Sequence, residues 1–194
     1  ACVIAGQNQL NLNNKQTVLI IGSGISGLLH IQLAKHKAAR VIATDINDYR
    51  LNKAMEFGAD HVINANEYSL EKLKSINDDK LADVVIVCAS VKKAVRDAVS
   101  SAGRKGIILF FAVPKDNITF PSLRLWRDEI TVMFSYGASP HDIKKALNLI
   151  EKGKVDIRKM ITHKIPLSEI KKGFKIVSDA KNSLKVVIVP DNRR

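Results

Sequence analysis

Cysteine is nearly absent from this 194-residue chain, with only Cys2 and Cys88 far apart in sequence. Two isolated thiols supply neither a disulfide framework nor a cysteine-based metal knuckle. Cys88 sits in the apolar run Val84–Ala89 and reads as a small buried hydrophobe. No apolar stretch approaches the ~20 residues that span a bilayer, and no signal-peptide pattern opens the chain, so a cytoplasmic protein is expected. Internal repeats and low-complexity tracts are missing. No Ser/His/Asp or Cys/His arrangement stands out, and no catalytic residue is expected in this chain. The histidines His30, His36, His61, His141 and His163 lack cysteine partners at ligand spacing, so no metal site is expected and they read as surface or packing residues. Asp78-Asp79 reads as a solvated turn. Acidic residues are also in short supply, 19 against 31 basic ones, for a net charge of +12. Residues 144–194 hold 14 Lys/Arg and 5 Asp/Glu, a local excess of +9. Those lysines are scattered over helical patterns without interleaved aromatics or a recognition motif. A nucleic-acid-binding domain is therefore ranked behind a solvated basic surface.

What is present is concentrated between Thr17 and Asp45. Thr17–Ile21 is a β-branched, apolar run that suits a strand buried on both faces. Gly22, Gly24 and Gly27 follow at G-x-G-x-x-G spacing. A helical pattern opens directly after, with Ile25, Leu28, Leu29 and Leu33 on one face. A second strand, Val41–Thr44, ends in Asp45. Strand, glycine turn, helix, strand and terminal acid form the dinucleotide-binding fingerprint. Gly22 allows the sharp turn, Gly24 leaves room for a pyrophosphate, and Gly27 lets helix and sheet pack closely. The helix N-terminus suits a diphosphate. A carboxylate at Asp45 can accept from both adenosine ribose hydroxyls and repels a 2′-phosphate, which predicts NAD rather than NADP. The basic field would assist capture of that anion.

The remaining pattern alternates strands and helices. Ala1–Leu10 is helical and Asn11–Lys15 a connector. Helix through Leu51–Met55, strand His61–Asn64, helix Leu70–Ile76, strand Asp83–Ala89 and helix Val91–Ala102 (ended by Gly103) follow. Strand Gly106–Val113 and a sixth strand in Glu129–Tyr136 flank a short helix or irregular segment around Trp126. Ser139-Pro140 starts a helix with Ile143, Leu147 and Ile150 on one face. Then come extended Thr162–Pro166, a helix Ser168–Ser178 with Ile170, Phe174 and Val177 inward, and a strand Leu184–Val189. This predicts an α/β fold with a Rossmann doubly wound, parallel six-stranded sheet, ligand binding at the carboxyl ends of its strands.

With these elements placed, the sequence resembles the medium-chain dehydrogenase/reductase family, in its zinc-dependent polyol (sorbitol) and threonine dehydrogenase branch. The markers are V-L-I-I-G-S-G-I-S-G-L-L-H-I-Q-L-A-K, V-I-A-T-D-I-N-D-Y-R-L and F-G-A-D-H-V-I-N. They continue with I-T-V-M-F-S-Y-G, A-L-N-L-I-E-K-G-K-V-D and I-T-H-K-I-P-L-S-E-I-K-K-G-F. The resemblance implies residues 1–16 as a linking helix and connector, 17–160 as the NAD-binding domain, and 161–194 as a segment of the catalytic domain. The zinc-binding half of such an enzyme would lie upstream, so this chain alone is expected to be inactive. The implied reaction is hydride transfer between a secondary alcohol or polyol and NAD, in a homo-oligomer paired through the sixth strand. The resemblance implies that Gly22, Gly24, Ile25, Ser26 and Gly27 hold the pyrophosphate. It also implies Asp45 on the adenosine ribose, Arg50 near the adenine end and Ala89-Ser90 along the cofactor's middle. Phe111, Ala112 and Val113 would approach the nicotinamide ribose and carboxamide, with Phe134, Ser135 and Tyr136 closing the far side. Two departures from the family pattern are Ile25-Ser26, where Pro-Ile is common, and Ala112, where Gly is common. The alternative function is a non-catalytic dinucleotide-sensing module.

Overall fold

The computed structural model describes residues 1–37, 39–114 and 117–191. The chain runs α1 (Cys2–Asn8), β1 (Thr17–Ile21), α2 (Ile25–His36), β2 (Arg40–Asp45), α3 (Asp48–Glu56) and β3 (His61–Asn64). It continues α4 (Leu70–Ser75), β4 (Ala82–Val87), α5 (Lys92–Ser101), β5 (Ala102–Phe110), α6 (Ser122–Arg127) and β6 (Thr131–Phe134). Last come α7 (Pro140–Glu151), β7 (Ile161–Pro166), α8 (Ile170–Asp179) and β8 (Lys185–Val189). Six parallel strands form one sheet in the order β3-β2-β1-β4-β5-β6. That is the Rossmann doubly wound arrangement, with its switch in strand order between β1 and β4. The short parallel pair β7-β8 forms a second sheet.

Period-two alternation explains how β1 is buried on both sides. Val18 and Ile20 point into one core with Leu28, Ile31 and Ala34 of α2. Leu19 and Ile21 point into the other with Val95, Ala98 and Val99 of α5. Full burial of each such side chain is worth about 1.5–3 kcal/mol. Thr17 joins the network from the lower end: its hydroxyl donates to Asn77 Oδ1 at 2.7 Å and its N–H to Asp83 Oδ2 at 2.7 Å.

Several local expectations require correction. α2 does not have a single apolar face: His30, Ile31 and Gln32 are buried as well as Leu28 and Leu33, because α1 and α7 cover the side away from the sheet. Gly103 does not end a helix. Ala102 already pairs with Ala82, and the ladder slips before Val84 meets Ile107. The apolar face read on α7 is not the one that packs, and the expected inward face of α8 is wrong. On α7, Ile143 and Leu147 are half exposed, whereas Ala146 and Leu149 pack against Val3, Ile4 and Leu33. On α8, Phe174 and Val177 are exposed, and the buried residue is Gly173, where an added Cβ would approach Ile188 Cδ1 to 3.0 Å. A helix resting on only two strands buries a narrow stripe, and here the stripe is centred on glycine. β6, expected across Glu129–Tyr136, is confined to four residues at the sheet edge.

Candidate functional site

The site is built where β1 and β2 end. Gly22 adopts φ +97° and its N–H donates to Thr44 O at 2.8 Å, turning the chain off β1 while holding it to β2. Gly24 caps α2 with extended backbone, and a Cβ there would meet nothing within 4 Å. Gly27 is the opposite case: a Cβ would lie 1.9 Å from Gly22 O, so only glycine lets helix and turn pack. Gly24 therefore leaves open space before the free amides of a helix N-terminus, a cradle suited to a diphosphate. Ile25 and Ser26 form the first turn of α2 and are partly exposed.

Asp45, only 7% exposed, is oriented by two backbone donors. Its Oδ2 accepts from Ser23 N at 2.8 Å and its Oδ1 from Asn47 N at 3.0 Å. A carboxylate has about four acceptor sites, so two remain for ribose hydroxyls. Arg50 lies 3.9 Å from Asp45 Oδ2 through Nη1, and its buried Nε has no partner among the described residues. Gly22, Asp45, Arg50 and Ala89 line one cleft of about 190 Å³, together with Ile46, Ala65, Val91, Lys93 and Asp97. Ser90 is exposed and outside that lining.

The other expected residues divide between two places. Ala112, Val113 and Phe134 line a neighbouring cleft of about 360 Å³ with Pro114, Asn117, Ile118 and Phe120. Phe111 turns inward instead, its ring edge-on to His30 at 4.7 Å. Ser135 backs onto α1, its Oγ standing 3.2 Å from where a Cβ of Gly6 would be. Tyr136 projects fully into solvent. Cys88 is partly buried, and burial pushes its thiol up to about 12 despite a hydrogen bond with Ser26, so it is no nucleophile at neutral pH. Among the described residues no group of three or more His, Cys, Asp and Glu could hold a metal ion. No helix among them is long and apolar enough to cross a membrane.

Sequence reasoning missed Ser23, Asn47 and Lys93. Ser23 is fully buried, with its N–H on Asp45 and its hydroxyl on Thr44 O at 3.3 Å. Asn47 had a legible signal: it is the N-cap of α3, its side chain accepting from Arg50 N.

This geometry has known relatives. A family model described as "Zinc-binding dehydrogenase" matches residues 26–152. Sorbitol dehydrogenase of Halalkalibacterium halodurans is 30% identical over 196 residues, covering 98% of this chain and 56% of that protein. L-threonine 3-dehydrogenase of Bacillus licheniformis is 28% identical over 177 residues, covering 89% of this chain and 51% of its own length. Among solved structures, an alcohol dehydrogenase from a Thermus species superposes with a TM-score of 0.85 at 26% identity, over 98% of this chain and 56% of that one. The chain thus spans about half the length of the curated relatives it matches. With the family model covering most of the sheet and the relatives aligning nearly end to end with these 194 residues, the chain belongs to the zinc-binding dehydrogenase family.

Proposed function

We propose that this chain is the cofactor-binding part of an NAD-dependent alcohol or polyol dehydrogenase. One observation carries the reading: open space at Gly24 and an oriented carboxylate at Asp45 face the carboxyl ends of adjacent strands. NAD, when bound, supplies the hydride-accepting ring. The chain's own residues hold it: α2 amides beyond Gly24 bind the pyrophosphate, Asp45 accepts from the adenosine ribose, and Arg50 and Ala89 wall the cleft. Ala112, Val113 and Phe134 border the neighbouring cleft, which we assign to the nicotinamide end. The described residues do not fit zinc, since no three of their His, Cys, Asp and Glu side chains come together to hold it. We place the zinc ligands in the half of the parent protein that the relatives have and residues 1–194 do not match, with residues 161–194 packing against that half.

Relatives of this chain are named for sorbitol, L-threonine and erythritol/L-threitol, which supports a small hydroxylated substrate. β6 ends the sheet with an unpaired edge, which supports a homo-oligomer formed by strand pairing. Two free cysteines are compatible with the reducing cytoplasm.

The test is calorimetric titration with NAD and with NADP, beside Asp45→Ala. The expected result is NAD bound in preference to NADP, with affinity falling about a hundredfold or more without the carboxylate, the value of two charge-assisted hydrogen bonds. Equal affinity for both nucleotides, unchanged by Asp45→Ala, would overturn the assignment. Sedimentation as a strict monomer would remove the strand-paired oligomer.

A further inference from the structure

The residue that ties the candidate ribose-binding acid to the rest of the molecule is Asn47.

The Asn47 N–H donates to Asp45 Oδ1 at 3.0 Å, and its Oδ1 accepts from Arg50 N at 3.2 Å. Its Nδ2 donates to two successive carbonyls of a distant turn, Ala180 O at 2.9 Å and Lys181 O at 3.0 Å. That turn closes α8, and Ala180 adopts φ +49°, a left-handed conformation that L-residues rarely take. The loop between β2 and α3 is therefore fastened on one side to Asp45 and on the other to the β7-α8-β8 unit.

We infer that Asn47 is a positioning residue: it fixes the Asp45 carboxylate for ribose recognition by clasping the turn at Ala180–Lys181. The inference rests on the NAD reading above and deepens it. The N-cap bond alone would be served by serine, which caps helices about as well as asparagine. Serine cannot reach two carbonyls with an amide, so the double donation is what the cap does not explain. By linkage, the dependence runs both ways: if the docked turn favours ribose binding, bound NAD favours the docked turn by the same factor.

The experiment compares the native chain with Asn47→Ser and Asp45→Ala, titrating NAD and NADP by calorimetry. Hydrogen exchange of residues 176–185 in the native chain, with and without NAD, is the second measurement. Asn47→Ser is expected to weaken NAD about fivefold to tenfold and to narrow the preference for NAD over NADP, a ratio that general loosening of the fold would leave unchanged. NAD is expected to slow exchange across 176–185. Native-like affinity and preference in Asn47→Ser, or exchange at 176–185 indifferent to NAD, would overturn the inference while leaving the NAD reading intact. Failure of the native chain to bind NAD would overturn both.

Discussion

At the residue scale, the three turn glycines answer to different demands. Gly27 is required by packing and Gly24 by the space in front of it. Gly27→Ala is expected to destabilise the fold by about 1–3 kcal/mol or more, the usual range for overpacking, read by urea denaturation. Gly24→Ala is expected to stay within about 1 kcal/mol of the native stability, since its φ of −71° suits alanine, yet to lose NAD affinity in calorimetry. His30 supplies a second test. It is fully buried, Gln7 Nε2 donates to its Nδ1 at 3.2 Å, and burial pushes its pKa down to about 3. The unfolded chain takes up a proton near pH 6.5 while the folded chain does not, so this stability is fully present above 6.5 and is lost as pH falls toward 3. Between pH 7 and pH 5 the loss is about 2 kcal/mol, following the limit of ~1.4 kcal/mol per pH unit. Denaturation at pH 7, 6 and 5 should show that slope in the native chain and a shallower one in His30→Leu.

At the element scale, α7 owes its start to a capping box. Ser139 Oγ accepts from Asp142 N at 3.3 Å, and Asp142 Oδ2 accepts from Ser139 N at 2.9 Å. Ser139→Ala is expected to cost about 1 kcal/mol in urea denaturation. This helix start was readable from Ser139-Pro140, as β1, β3 and the Gly22–Asp45 unit were from local pattern. Helix faces were another matter. Periodicity shows that a helix has an apolar stripe, but only its neighbours decide what is covered. α2 is sandwiched between sheet and two helices, so even its polar Gln32 and His30 are buried; α8 has two strands beneath it, so Phe174 stays exposed. The site was legible to the same degree. Asp45 and the glycines follow from spacing, whereas the inward turn of Phe111 toward His30 and the reach of Asn47 to Ala180 join residues 81 and 133 positions apart, which no local pattern records.

At the scale of the whole molecule, the net charge of +12 acts on any anion that approaches. Asp45 is embedded in this basic field, so the attraction is long-ranged and the carboxylate acts only on contact. The association rate of NAD is expected to fall as salt rises from about 0.05 to 0.5 M, because the screening length shortens from above 10 Å to a few ångströms. Stopped-flow mixing would measure it, and a salt-independent rate would show that steering plays no part.

The pairing of β1 between β2 and β4 also has a consequence for synthesis. Val18 to Ile21 must meet Val84 to Val87, and Val87 is the 66th residue added after Ile21. At ~5–20 residues per second, the ribosome needs about 3–13 s to cover that distance. For that interval the most apolar strand of the sheet has been made while one of its two flanking partners has not, so the nascent chain carries an uncovered sticky edge that a chaperone could shelter.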